Sequence, residues 1–322
     1  MIIDIFNEIP WQAFQNLEFI KKLPLNEQKE KYDEYISELS LAKDYQLNYQ
    51  VKGPYPLTAS SGIACSAGMD VIFVIDFTGS MGSEIDDIKT DIESIITTIR
   101  TESNDDYRLG LVIFDAYRSG QSVDYASSPT YQNLPASQKI ITPDSTSGPG
   151  SGNSGILVYQ ALTALEIMSA NNQTSFNAIL QQLNTPNNTP GLELGGGAIP
   201  DGPEPGDLAI EEIINNDFAG AFRSNVAKLI ITISDNYPGG YKEDYDTDVV
   251  SRLQALVTTS VANDIQHLAM INLSSTQVLN PDPMAPNTGY RILSDNTSGE
   301  FVNSFDPTSI ITTIQNICVE NA

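Results

Sequence analysis

Three short stretches of this chain gather oxygen-bearing side chains where glycines let the backbone turn. The first is Asp76-Phe77-Thr78-Gly79-Ser80-Met81-Gly82, which carries a carboxylate and two hydroxyls at alternate positions. Gly79 and Gly82 permit the tight turn that presents all three together. The second is Gly195-Gly196-Gly197-Ala198-Ile199-Pro200-Asp201-Gly202-Pro203-Glu204, which supplies Asp201 and Glu204. The third is Ser234-Asp235-Asn236-Tyr237-Pro238-Gly239-Gly240, with Asp235 directly after an apolar run. Hydroxyls and carboxylates without His or Cys are hard donors, suited to Mg²⁺, Mn²⁺ or Ca²⁺ and not to zinc. Such a cation wants about six oxygens. Neutral hydroxyls and few direct carboxylates leave it electron-poor, with a position that an acidic side chain of a partner can fill.

The elements that must hold these loops alternate along the chain. Asp70 to Asp76 is a continuous apolar run bounded by acids, the mark of a strand buried on both faces. Ser83 to Thr101 predicts a helix, with Ile85, Ile88, Ile92, Ile95, Ile96 and Ile99 on one side. Arg108 to Phe114, Lys228 to Ser234 and His267 to Leu273 read as further core strands. Phe176 to Leu183, Leu208 to Ile214, Val249 to Ala262 and Pro307 to Cys318 read as helices. Residues 115–155, rich in Ser, Gly, Pro and Tyr, read as an insertion with one edge strand at Lys139 to Thr142. This alternation predicts an α/β fold, a doubly wound, Rossmann-like and mostly parallel sheet with helices on both faces. Ligands of such sheets sit outside the carboxyl ends of the strands, where the acidic loops emerge, and Asp235 holds the place at its strand end that Asp76 holds at the first.

Residues 1–52 read differently, as an N-terminal helical extension. Pro10 opens a helix from Trp11 to Leu23, Pro24 stops it, and a second runs from about Asn26 to Gln50. Tyr32, Tyr35, Leu39, Ala42 and Tyr49 form one stripe, fit for packing on the chain's own body or for a coiled coil between subunits. Docking or oligomerisation is the expected role of this extension.

Composition removes other classes. Of 322 residues, 16 are Lys or Arg and 41 are Asp or Glu, a net charge of −25, which argues against nucleic acid and against an anionic membrane surface. No run of ~18 apolar residues is present to insert in a bilayer. The first residues, with Asp4 and Glu8 and no basic stretch, do not read as a secretory signal peptide. The single histidine, His267, lies in an apolar run and reads as a core or edge residue, and two cysteines cannot make a Cys-rich zinc site. No base or nucleophile accompanies the acids, so the chain is not expected to be an enzyme. Asn172, Asn187, Asn272 and Asn296 each begin an Asn-x-Ser/Thr triplet, a weak signal in an Asn-rich chain.

The run Asp76-Phe77-Thr78-Gly79-Ser80-Met81 resembles the metal-ion-dependent adhesion site of von Willebrand factor A domains, in its Asp-x-Thr-Gly-Ser-Met variant. The Gly-Gly-Gly to Glu204 segment resembles a loop of integrin β-subunit I-like domains and of microbial A domains. The apolar run ending at Asp235 resembles the family's last ligand-bearing loop. The resemblance spans residues 66–320 and implies that Asp76, Thr78, Ser80, Glu204 and Asp235 hold a divalent cation. Two departures stand out. The middle loop lacks the threonine many A domains use, and Ala198-Ile199-Pro200 stretches its Gly-rich run, so Asp201 competes with Glu204. Glu84, Asp86 and Asp87 stand where related domains hold a second cation, although acids in a first helical turn also complement the helix dipole.

The resemblance further implies a disulfide between Cys65 and Cys318, tying the two ends of the domain; two free buried thiols are the alternative. The function it implies is cation-dependent protein binding or adhesion, in which Mg²⁺, or Mn²⁺ or Ca²⁺, captures an exposed Asp or Glu of a protein partner. An extracellular or virion-surface setting fits, either a surface adhesin or a phage virion or tail component assembled through the N-terminal helices. The alternative is an intracellular, cytoplasmic assembly factor working with an AAA ATPase.

Overall fold

The computed structural model describes residues 64–118, 120–143, 158–183, 192–194, 203–241, 245–272, 288–303 and 307–320, together with Lys29. The chain divides into two units, residues 1–59 and 60–322, and only the second is described in detail. The helices expected within 1–52 lie outside the described residues, as does Asp201.

Strand β1 (Met69–Asp76) lies at the centre of a seven-stranded sheet, buried at every position. Its neighbours are β2 (Tyr107–Arg118) and β5 (Ala227–Ser234), both parallel to it. Beyond β5 come β6 (Ile265–Ile271) and β7 (Glu300–Val302), also parallel. Beyond β2 lie β4 (Val158–Glu166) and the edge strand β3 (Lys139–Pro143), both paired antiparallel. The sheet is therefore mixed and mostly parallel. The alternation in sequence leaves β4 unassigned and starts the insertion at residue 115, whereas β2 continues to Arg118 and pairs with β4 over that stretch.

Alternation along β1 divides the core. Val71, Phe73 and Ile75 face α1 (Gly82–Glu102), α3 (Gln173–Leu180) and α7 (Pro307–Glu320), and the short α2 (Pro129–Asn133) brings Tyr131 to the same layer. All six isoleucines of the predicted stripe on α1 are buried there. The other face carries α4 (Gly206–Asn216), which packs on β1 and β2, then α5 (Thr247–Ala262) and α6 (Arg291–Asn296). Asp246 caps α5, its carboxylate accepting from the amides of Asp248 (2.9 Å) and Val249 (3.1 Å). Helices thus cover both faces.

A disulfide joins Cys65, in the turn before β1, to Cys318 in the last turns of α7, with Cα atoms 5.2 Å apart. Closing so long a loop stabilises by roughly 5–6 kcal/mol in the entropy model. The link sits at the amino ends of the parallel strands, the end away from Asp76. His267 is buried in β6, its Nε2 2.9 Å from Ser260 Oγ. It lies level with Ile72 through Ile230, four positions below Asp76 and so ~13 Å along the strands. Asn172, the first residue of one glycosylation triplet, is buried, and its side chain bonds the amide and carbonyl of Leu109 at 2.8 Å each. Among the described residues no helix is long and apolar enough to cross a membrane.

Candidate metal centre

The carboxyl end of β1 delivers Asp76, fully buried, into a ring of hydroxyls. Asp76 Oδ1 accepts from the backbone amide of Thr78 at 3.0 Å and from Thr78 Oγ1 at 2.8 Å. Asp76 Oδ2 accepts from Ser234 Oγ at 2.7 Å. Thr78 Oγ1 lies 3.1 Å from Ser80 Oγ. Because Thr78 has a single hydroxyl proton and gives it to Asp76, Ser80 is the donor of that pair, and the oxygens of Thr78 and Ser80 keep lone pairs for another ligand. Thr78 is buried and Ser80 exposed, so the loop opens outward from Asp76.

The turn is fixed by the backbone. Phe77 N donates to Phe114 O of β2 at 2.9 Å, and Met81 N to Thr78 O at 3.1 Å. A single 3-10 turn, Gly79–Met81, then leads into α1, and Gly82 sits there in an ordinary helical conformation.

The second and third loops are strapped together. Glu204 N donates to Tyr237 O at 2.8 Å, and Gly239 N donates to Glu204 O at 2.7 Å, a one-pair bridge of parallel type. Gly239 cannot be replaced without moving this strap, since a β-carbon there would lie 2.5 Å from Pro203 O. The Glu204 side chain is buried, and Asp235 is half-buried.

Register corrects one expectation. Ile75 pairs with Ile233, so the residue level with Asp76 is Ser234, and Asp235 lies one position beyond. Ser234 thereby becomes a direct partner of Asp76, a role that the loop sequence alone does not reveal.

Among the described residues no basic side chain pairs with Asp76. Burial, and after it the charge of Asp235, push its carboxyl up to about 7, against the hydrogen bonds from Ser234 and Thr78. A buried carboxylate with a second carboxylate near it favours a positive charge between them. The side chains joined to Asp76 fit that charge: hydroxyl oxygens of Thr78 and Ser234, with Ser80 bonded to Thr78 and the Asp235 charge near, and no sulfur or imidazole among them. Among the described residues no cluster of three or more His, Cys, Asp or Glu side chains is placed to hold a metal, so any cation here depends on the hydroxyls.

Asp207, three residues after Glu204, is a nearby contrast. It is fully buried, accepts from Gly240 N at 2.9 Å and pairs with Arg252 Nη1 at 2.7 Å. Burial still pushes its carboxyl up, in spite of Arg252. Around the expected second site, Ser83 Oγ donates to Glu84 Oε2 at 2.8 Å and Asn272 Nδ2 to Glu84 Oε1 at 3.3 Å, while Asp86 pairs with Lys89 at 2.8 Å. Protein groups therefore occupy Glu84 and Asp86.

No family model and no curated protein matches the chain. Among solved structures, the pilus adhesin SpaC of Lactobacillus rhamnosus GG aligns with TM-score 0.44 and 12% identity, over 79% of this chain and 30% of that one. Proximal thread matrix protein 1 of the mussel byssus aligns with TM-score 0.41 and 13% identity, over 80% of this chain and 48% of that one. A second structure of the byssal protein, with zinc in its metal-ion-dependent adhesion site, aligns with TM-score 0.43 and 13% identity. The chain thus spans less than half the length of either protein.

Proposed function

We propose that this chain is a von Willebrand A-type binding module whose divalent cation captures an acidic side chain of a protein partner. The single observation that carries the reading is the environment of Asp76: a fully buried carboxylate held by hydroxyls and one amide, and facing another carboxylate. Thr78 and Ser80 would hold the cation through their hydroxyls, with Asp76, Glu204 and Asp235 providing charge directly or through water. When bound, the ion supplies a Lewis-acidic position open to a carboxylate. Ser80, exposed at the rim, marks the side from which a partner approaches. A partner's acid meets a chain of net charge −25, but salt screens that repulsion beyond ~10 Å, so the contact is short-ranged and cation-dependent. The Cys65–Cys318 disulfide supports an oxidising, extracellular setting, and nothing observed favours the cytoplasmic alternative.

The test is Mn²⁺ binding to the full chain, read by electron paramagnetic resonance, with Mg²⁺ as competitor. One ion should bind, and Asp76→Ala should reduce affinity more than 100-fold with the fold retained by circular dichroism. Mn²⁺ affinity equal in the two proteins would refute the site.

A further inference from the structure

One buried polar atom near this centre belongs to none of its three loops. Tyr290 stands in the segment after β6, immediately before α6, and is 2% exposed. Among the described residues its hydroxyl oxygen has no hydrogen-bond partner. That oxygen lies directly over Gly206, the first residue of α4: a β-carbon at 206 would be 2.0 Å from Tyr290 Oη and 2.9 Å from Phe114 Cζ. Only glycine fits there, two residues after Glu204 and one before Asp207.

The position is held from both sides. Gly289 N donates to Tyr245 Oη at 2.7 Å, and the Tyr245 ring stacks on Tyr237 at 4.9 Å. Tyr237 in turn supplies the carbonyl that Glu204 N binds. Beside Tyr290, between Asn236 and Thr288, is a cavity of about 10 Å³, room for one water. The phenol feels the charges of Asp207, Asp76 and Glu204, and burial with those charges keeps its proton on. A buried donor with no hydrogen bond thus stands against Gly206, two residues from Glu204 and beside Phe114, the β2 residue level with Asp76.

Resting on the cation-site reading above, we infer that Tyr290 is a positioning residue of that site, a donor from a fourth loop. Its proton is taken by an oxygen of the ion's coordination shell, a carboxylate oxygen or a bound water, when the site is loaded. An unsatisfied buried donor destabilises the cation-free protein, and its satisfaction on loading adds to cation affinity. The two effects have opposite signs in one variant, which separates this role from simple packing.

Tyr290→Phe keeps the ring and removes the hydroxyl. In the full chain, the Mn²⁺ dissociation constant should rise about tenfold. The urea midpoint in EDTA should hold or rise. Unchanged Mn²⁺ affinity overturns the inference while leaving the cation site standing. A fall in EDTA stability overturns it too, because the hydroxyl would then be bonded without the ion. A wild-type chain that binds no Mn²⁺ overturns this inference together with the cation site.

Discussion

Asp70 and Asp76 open and close the same run of β1, point to the same face of the sheet and are both fully buried. Their surroundings are opposite. Asp70 Oδ1 accepts from Arg108 Nε and Arg223 Nε at 2.9 Å each, and its Oδ2 accepts from Arg223 N at 2.8 Å and from Arg108 Nη2. Burial raises its carboxyl, but the hydrogen bonds and charges of Arg108 and Arg223 outweigh that and hold it below its usual value. Asp76 has neutral donors only, and its carboxyl rises to about 7. A buried carboxylate matched by two guanidinium groups is complete within the chain. One matched by hydroxyls is incomplete in charge, and its deficit is what a cation supplies. The two ends of one strand therefore separate a structural charge from a functional one.

Removing each carboxylate breaks the comparison most directly. Asp70→Ala leaves Arg108 and Arg223 facing a buried void, and breaking such a pair costs about 3 kcal/mol. Asp76→Ala in EDTA relieves an uncompensated charge and should change stability by less than about 1 kcal/mol. Urea unfolding of both variants in EDTA measures the difference. Equal losses would mean that Asp76 is as fully compensated as Asp70, and the contrast would be gone.

Much of this was legible from the residues alone, and the misses have physical causes. Asp70 to Asp76 reads as a buried strand because every position is apolar or sits at an end. The isoleucine stripe gives α1, whose six isoleucines are all buried. Strand β4 was not legible. Ala161, Leu162, Ala164 and Leu165 suit helix as well as strand, and pairing with β2 and β3, distant in sequence, decides. The role of Ser234 required register, since Asp235 is the more conspicuous neighbour and only the Ile75–Ile233 pairing puts Ser234 level with Asp76. Tyr290 gave no signal at all, because its closeness to Gly206 depends on how the chain returns after β6.

The pH dependence of stability sharpens the comparison once a common background is removed. Burial lowers the His267 imidazole to about 3, whereas in the unfolded chain it takes its proton near 6.5. Between those values the imidazole of the unfolded state binds the extra proton, so its contribution to stability falls as pH falls, by up to ~1.4 kcal/mol per unit, while the raised Asp76 carboxyl contributes in the opposite sense between 3.8 and about 7. Asp70 acts in the same direction as His267, lower down. Its contribution is full above the unfolded value of 3.8 and is lost as pH drops through the lowered folded value. Urea midpoints in EDTA from pH 7 to 3 should show that His267→Gln removes the histidine's fall between 6.5 and 4.5, so that stability there holds or rises as pH falls, and that Asp70→Asn changes the slope only below 4. A wild-type slope in His267→Gln would mean that the imidazole is protonated in the fold.

The smallest expected effect discriminates best between holding a ligand and being one. Ser234 Oγ donates to Asp76 Oδ2 and accepts from Asn236 N at 3.1 Å, so it joins the β1 loop to the β5 loop. Ser234→Ala removes both bonds and should lower stability in EDTA by about 1 kcal/mol. Its effect on the cation depends on what the hydroxyl does for Asp76. If the bond orients the carboxylate toward the ion, Mn²⁺ affinity falls about fivefold, far short of the loss in Asp76→Ala. If the bond instead competes with the ion for Oδ2, affinity rises. The geometry favours the first outcome, because Ser234 binds Oδ2 while Thr78 binds Oδ1, and two donors on opposite oxygens fix the plane of the carboxylate. A rise in affinity would place the ion on the Ser234 side of Asp76, away from Thr78 and Ser80, and would require the ligand set to be redrawn around β5.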